Sequence, residues 1–424
     1  MAAVGQLSPQ PWMTATATRA VMEALHVEGR EARFVGGCVR DGILKRPVTD
    51  VDIATPLPPE EGVERLSRAG IKVIPTGITH GTVTAVVDGT SFEITTLRKD
   101  VACDGRHAQV AFTDDWRQDA ARRDFTINAM SAGIDGTIHD YFNGLRDLGE
   151  GKVRFVGNPK DRIGEDVLRL LRFFRFFAWY GKPPADAAAL TACRLLAPEL
   201  ASLSGERVRN ELLKILMSPD PASVFLLMRG ERVLERVLPE AFDFGRLRVL
   251  SWLETRGIRE PDVEPDVLRR LAAAIRTDEA GVLAMSSRLK LSNRQTMRLA
   301  GLVACPTEFS PDPDMEQRAC RRALYHLGVE RMRDLILIAW AEQKATAPTS
   351  QPSKTEGWLK LLTAARTWTP PEFPIRGRDL LAAGVVPAGP ALGRCLKDLK
   401  QWWEEGDYQA GREEILAQAR RTAG

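Results

Sequence analysis

Histidine and cysteine are both scarce, at five and six residues in 424. The cysteines (Cys38, Cys103, Cys193, Cys305, Cys320 and Cys395) are scattered and form no C-x-x-C pair. That spacing argues against structural zinc, and the low density argues against a disulfide framework, so a reducing compartment is expected. No apolar run reaches the roughly 18 residues of a membrane-spanning helix. The opening segment has neither a signal-peptide core nor a transit peptide's arginines, and the expected location is the cytoplasm. An excess of charge is missing as well: 59 Lys+Arg stand against 56 Asp+Glu, a net +3. Histone-like binding is thereby excluded, and a nucleic-acid partner would need a local basic surface.

What is present is ample core material. The chain is 44% hydrophobic, and its length suggests about two to four domains at roughly 100–200 residues each. A helix is expected over 13–26. Short β-type runs follow at 33–35, 51–53, 73–75, 81–87, 91–95 and 108–112, many bounded by Gly, Pro or Asp, which predicts a mixed sheet. From Ile163 onward, Leu/Ala/Arg-rich segments of helical spacing take over. The Pro/Ser/Thr-rich stretch 345–354 reads as a linker or exposed loop between a middle helical portion and a last one.

Four clusters carry chemistry. In Phe34-Val35-Gly36-Gly37-Cys38-Val39-Arg40-Asp41, two glycines fall between a strand and a helix. They satisfy a tight turn, or they let backbone N–H groups approach a polyanion with Arg40 adding charge. In Thr49-Asp50-Val51-Asp52-Ile53, alternation puts both carboxylates on one face of a strand. Such a pair is either a solvated edge or a Mg²⁺ site, because close like charges call for a cation between them. Glu93, a lone acid in the β-rich run Phe92-Glu93-Ile94-Thr95, is a candidate third carboxylate on a neighbouring strand. Glycine turn, helix and D-x-D on the next strand together suit nucleotidyl transfer by two-metal chemistry.

Two further clusters are basic. Arg122-Arg123-Asp124-Phe125-Thr126-Ile127-Asn128 places adjacent cations before an amphipathic stretch. Between Ile163 and Tyr180, read as one helix, Asp166, Arg169, Arg172 and Arg175 recur every three residues among large apolar side chains. Charges on a helix fit for burial must be paired. One reading is an Asp166–Arg169 ion pair bracing a domain junction; the other is a surface that reads base edges. His139-Asp140 resembles the dipeptide of metal phosphohydrolases, but no other histidine lies near it in sequence.

These motifs occur in the order seen in the class II tRNA nucleotidyltransferases, the CCA-adding enzymes and their poly(A) polymerase relatives. The resemblance covers about 30–217, through the clusters above, the Asp140…Phe142-Asn143-Gly144…Asp147-Leu148 connector, Glu165-Asp166…Arg169 and Glu206-Arg207-Val208-Arg209-Asn210-Glu211. Gly377-Arg378-Asp379-Leu380 and Gly389-Pro390-Ala391-Leu392-Gly393 look like the family's tail pattern. It implies an α+β chain: a nucleotidyltransferase head with a mixed sheet and flanking helices (1–150), then an all-α neck (151–220), body (221–345) and tail (355–424).

By the same resemblance, Gly36, Gly37 and Arg40 would meet the triphosphate together with Arg123. Asp50 and Asp52 would hold Mg²⁺; Glu93, taken from its own run and not from the resemblance, is counted with them as a catalytic carboxylate. Asp166 and Arg169 would read the base edge, and Arg172 and Arg175 would complete the pocket, buttressed by a helix starting near Ser204. The implied partners are CTP, ATP and the acceptor arm and 3′ end of tRNA. Residues 154–214 carry 11 basic and 7 acidic side chains, a local +4 compatible with backbone contacts. The polar stretch 98–108 is similar to the family's flexible loop for switching from C to A. A poly(A) polymerase, or a non-catalytic RNA-binding protein on a retired head, would share much of this pattern.

Overall fold

The computed structural model describes residues 3–78, 81–103, 108–347, 349 and 352–423, without the side chains of 100–103, 108–110 and 423. The chain forms two compact units, Met1–Pro239 and Glu240–Gly424. No helix among the described residues is long and apolar enough to cross a membrane.

Ten strands, all in the first unit, are described: β1 (Gly5–Gln6), β2 (Arg33–Val35), β3 (Val51–Thr55), β4 (Lys72–Gly77), β5 (Thr82–Val87), β6 (Thr90–Thr96), β7 (Arg98–Cys103), β8 (Ala108–Phe112), β9 (Ser131–Ala132) and β10 (Thr137–His139). Eight form a mixed sheet ordered β1-β10-β9-β2-β3-β6-β5-β4, in which β3 and β6 run parallel and the other pairs antiparallel. The six expected strands are present. β1, β9 and β10 were not expected, being too short to show a period of two.

The stretch 98–108 differs from its expected form as a loop. Its first part is β7, paired antiparallel with β8 in a separate two-stranded sheet; positions 104–107 lie outside the described residues. The polar run Arg98-Lys99-Asp100 hid the strand. The helix expected over 13–26 is broken at Ala15 into Pro11–Thr14 and Thr16–Ala24.

The helix expected between Ile163 and Tyr180 is also two. Pro159–Glu165 ends at Asp166, which is extended (φ −151°, ψ 106°), and Leu168–Tyr180 starts afresh. Asp166 therefore lies off the helix that carries Arg169. Its Oδ1 accepts from the Leu168 amide at 3.1 Å and its carbonyl from the Arg169 amide at 2.9 Å, meeting amides a new helix leaves open. The second helix buries Leu170, Leu171, Phe173, Phe174 and Phe176, and the Gly205–Leu216 helix packs along it.

The second unit is helical. Around 345–354, the Val329–Thr346 and Pro352–Thr367 helices share one core, Trp340 stacking on Trp358 with ring centroids 6.3 Å apart. The stretch joins two helices of one packed layer; a separate cluster of Ile375, Leu380, Leu399, Trp403 and Ile415 follows. The same unit holds an ion network whose Arg269, Arg270, Glu254 and Asp334 are buried. Arg269 reaches Glu254 at 2.7 Å and Asp334 at 2.8 Å, Arg270 reaches Glu254 at 2.6 Å, and Arg298 reaches Asp334 at 2.6 Å and Asp266 at 2.9 Å.

Candidate active site

Gly36 stands between β2 and the Gly37–Ile43 helix, and its φ of 69° and ψ of −123° are open to glycine and strained for other residues. A Cβ there would stand 3.3 Å from Arg123 Nη1 and 3.9 Å from Asp52 Oδ2. Turn, guanidinium and carboxylate thus meet at one point. Asp50 directly precedes β3, and Asp52 lies within it while Val51 and Ile53 are buried. The parallel register sets Asp52 opposite Glu93 on β6. Asp50 and Glu93 are exposed, and Asp52 is half-buried. Burial first, then Glu93, raises the Asp52 carboxyl above its ordinary value; Arg123 opposes this and Asp50 adds to it.

Among the described residues, no group of three or more His, Cys, Asp or Glu side chains is gathered closely enough to hold a metal ion by itself. Two carboxylates open to solvent and substrate are nevertheless what Mg²⁺ takes when phosphate and water supply the remaining oxygens. The donor set fits an ion that arrives with a nucleotide. Behind it, Cys38 Sγ bonds the Val35 and Asp52 carbonyls at 3.2 and 3.7 Å, and burial pushes its thiol up to about 12, leaving a neutral, inert filler.

The arginines are held individually. Arg40 lies beside Gly37, but its charge is met: Nε and Nη2 bond Asp41 at 3.2 and 2.7 Å, Nη1 bonds Asn128 at 2.5 Å, and it is 7% exposed. The charge facing Asp52 is therefore that of Arg123. Burial works against ionisation of Asp119, yet Arg123 and Arg122 hold its carboxyl below the ordinary range, and Asp119 Oδ2 accepts from Arg123 Nη2 at 3.1 Å. Arg162 donates to the Arg122 and Arg123 carbonyls, gripping that backbone from the helix below.

On the two-helix segment, Asp166, Arg169, Arg172 and Arg175 each have their own partner. Asp166 receives Arg207 Nη2 at 3.0 Å on both oxygens. Arg169 Nη1 bonds Glu165 at 2.5 Å and the Arg162 carbonyl at 3.0 Å. Arg172 grips Asp124, its Nε at 2.7 Å, and Arg175 faces Glu211 at 2.5 Å. The Asp166–Arg169 ion pair offered as one reading does not form, because the break at Asp166 turns the two side chains to different neighbours. His139 lies in β10, and Asp140 caps the Phe142 and Leu145 amides.

Comparison with known proteins extends these findings. Residues 32–154 match the poly A polymerase head domain, and 186–244 match the probable RNA- and SrmB-binding site of polymerase A. The chain is 36% identical over 391 residues to CCA tRNA nucleotidyltransferase 1, mitochondrial, of Danio rerio, covering 91% of this chain and 86% of that protein. The chain belongs to the CCA tRNA nucleotidyltransferase family. Another relative is the CCA-adding enzyme of Lactobacillus gasseri, 31% identical over 92% of this chain and 93% of its own. Among solved structures, the Bacillus stearothermophilus CCA-adding enzyme in complex with CTP superposes with a TM-score of 0.74 at 27% identity, covering 95% of each chain.

As a member of this family the chain is a nucleotidyltransferase, and membership implies divalent-metal chemistry. Sequence reasoning missed the partners that hold the family's motifs in place: Asp119, Asn128, Tyr180 and Glu211. Asn128 stands four residues beyond Asp124, a spacing at which side chains meet on a turn. Tyr180 and Glu211 are distant in sequence from what they touch; Glu211 closes the Glu206–Glu211 motif, but spacing along the chain does not reveal its pairing with Arg175.

Proposed function

We propose that this chain adds C, C and A to the 3′ end of tRNA, taking CTP and ATP and releasing pyrophosphate, without a nucleic-acid template. The observation that carries the reading is the meeting of the Gly36 turn, Arg123 and Asp52 in a chain that aligns along 91% of its length with a CCA tRNA nucleotidyltransferase. The 3′-hydroxyl of tRNA attacks the α-phosphate, the α–β bridging oxygen leaves with pyrophosphate, and a phosphodiester forms.

In this reading Asp50 and Asp52 hold Mg²⁺, with Glu93 beside them. Mg²⁺ held there would supply activation of the hydroxyl and neutralisation of charge on the phosphates. The missing Cβ atoms of Gly36 and Gly37 leave the triphosphate room against the backbone, Arg123 offers it Nη1, and Arg40 fixes the turn. Asp166 and Arg169 present an acceptor and donors to the base edge, and Arg172 and Arg175 line the same pocket. A base must displace Arg207 from Asp166 and Glu165 from Arg169, so a poorly matched one fails to open pairs that already satisfy each other.

The head (1–150) performs the transfer, the neck (151–220) selects the nucleotide, and the helical remainder, 221–424, receives the acceptor arm. The unpaired buried thiols of Cys38, Cys193 and Cys320 suit a reducing compartment, which we take to be the cytoplasm. The test is extension of tRNA lacking CCA with CTP and ATP, resolved on a gel. A discrete three-nucleotide product is expected. Long A-tails on varied RNAs would instead make it a poly(A) polymerase, and RNA binding without extension a retired head.

A further inference from the structure

The glycine turn and the base-reading helix belong to different parts of the first unit, and a buried polar chain joins them. Asp41 holds Arg40 through two hydrogen bonds, and Arg40 Nη1 donates to Asn128 Oδ1 at 2.5 Å. Asn128 Nδ2 donates in turn to Asp124 Oδ1 at 3.0 Å, and Asp124 Oδ2 takes Arg172 Nε at 2.7 Å. Arg40, Asn128 and Asp124 are 7, 7 and 8% exposed. A second strut closes the frame: Tyr180, at the end of the base-reading helix, donates its hydroxyl to Asp41 at 2.9 Å and lies under the Arg40 guanidinium, 4.2 Å from ring centre. The Phe176 ring lies 5.2 Å from Arg40 and 5.5 Å from Arg172.

Asn128 is the one neutral member, and its polarity is dictated from both sides. The carbonyl must face a cation and the amino group a carboxylate, a pair of demands that an amide meets and that Asp or Leu of similar size does not. Burial makes a mismatch there costly. Resting on the nucleotidyl-transfer reading above, we propose that Asn128 is a positioning residue: it holds Arg40, at the triphosphate turn, in fixed register with Arg172, on the base-reading helix, so that a nucleotide seated by its phosphates presents its base to Asp166 and Arg169 at the correct height. Asn128 touches neither substrate nor metal.

The test uses the full chain with tRNA ending after the first or the second C of its CCA end. The nearly isosteric Asn128→Asp sets two carboxylates against each other at the centre of the chain, and Asp124→Asn/Asn128→Asp moves the charge by four positions while keeping the total unchanged. The readouts are the ratios of kcat/KM for CTP over UTP and ATP over GTP, together with the thermal midpoint. The expected result is a loss of tenfold or more in both ratios for Asn128→Asp, arising mainly in kcat for the correct nucleotide, with at least partial recovery in the double variant. Unchanged ratios in a folded Asn128→Asp protein overturn the proposal, as does a double variant as unselective as the single while melting like the wild type. Absence of C and A addition by the wild-type chain would refute the proposed function instead, and the two failures are distinguishable.

Discussion

Asp52 is placed where its ionised form is disfavoured, by burial first and then by Glu93, with Arg123 only partly offsetting them. A carboxyl whose folded value is raised is most stabilising when protonated, and its contribution declines as pH climbs through that value. At neutral pH the ionised Asp52 therefore costs stability that metal binding would recover. Asp52→Asn is expected to raise the melting temperature at pH 7 in EDTA while abolishing nucleotide incorporation; a lower melting temperature would contradict the electrostatic assignment. Asp124 has the opposite sign. Burial opposes its ionisation, but Arg172 and the Asn128 amide outweigh burial and hold its carboxyl below the ordinary range. That stabilisation is present above the ordinary carboxylate value and lost as pH falls through the lowered one. Arg172→Ala should cost about 3 kcal/mol at neutral pH, as for a buried carboxylate losing its cation, and should move acid unfolding to higher pH, both measurable by denaturant titration across pH.

At the scale of elements, the β7–β8 hairpin is outside the eight-stranded sheet yet tied to the site. The Arg98 amide donates to Asp119 Oδ1 at 3.4 Å, and Asp119 is the carboxylate that holds Arg123. The Thr113 amide closes the base of the hairpin on the Leu97 carbonyl at 2.9 Å. Removing residues 100–106 leaves every strand of the main sheet intact, so the chain is expected to fold. Addition of the two C residues should persist and addition of the terminal A should fall by an order of magnitude or more in single-turnover assays. Equal loss of both steps would make the hairpin a purely structural part.

Across the whole molecule, the second unit contains an ion network whose centre, Arg269, Arg270, Glu254 and Asp334, is buried. Asp334 is fully buried between Arg269 and Arg298. Asp334→Ala leaves both guanidiniums short of a partner and should destabilise the second unit by about 3–5 kcal/mol. Calorimetry should show the loss in one transition, with CTP binding by the first unit unchanged; a shift of both transitions together would mean that the units unfold as one.

The residues themselves were enough to name the head and its chemistry. Gly36-Gly37, Asp50-x-Asp52 and Arg122-Arg123-Asp124 are legible because each is a short run of neighbours in sequence; that the Gly36 turn, Asp52 and Arg123 meet at one point is decided by the fold. Alternation alone put Asp50 and Asp52 on one face. Glu93 was expected on a neighbouring strand, and the structure sets it opposite Asp52; that register is a matter of the parallel pairing of β3 with β6, in which the buried Val51, Ile53, Phe92 and Ile94 take part. The helix break at Asp166 was illegible for a related reason. Helical spacing continues unbroken through the letters 163–180, and only the capture of Asp166 by Arg207, forty-one positions away, together with its capping of Leu168, favours an extended residue there. Partner choice among the arginines was likewise decided in three dimensions, because an ion pair is selected by burial and reach, and neither is a property of spacing along the chain.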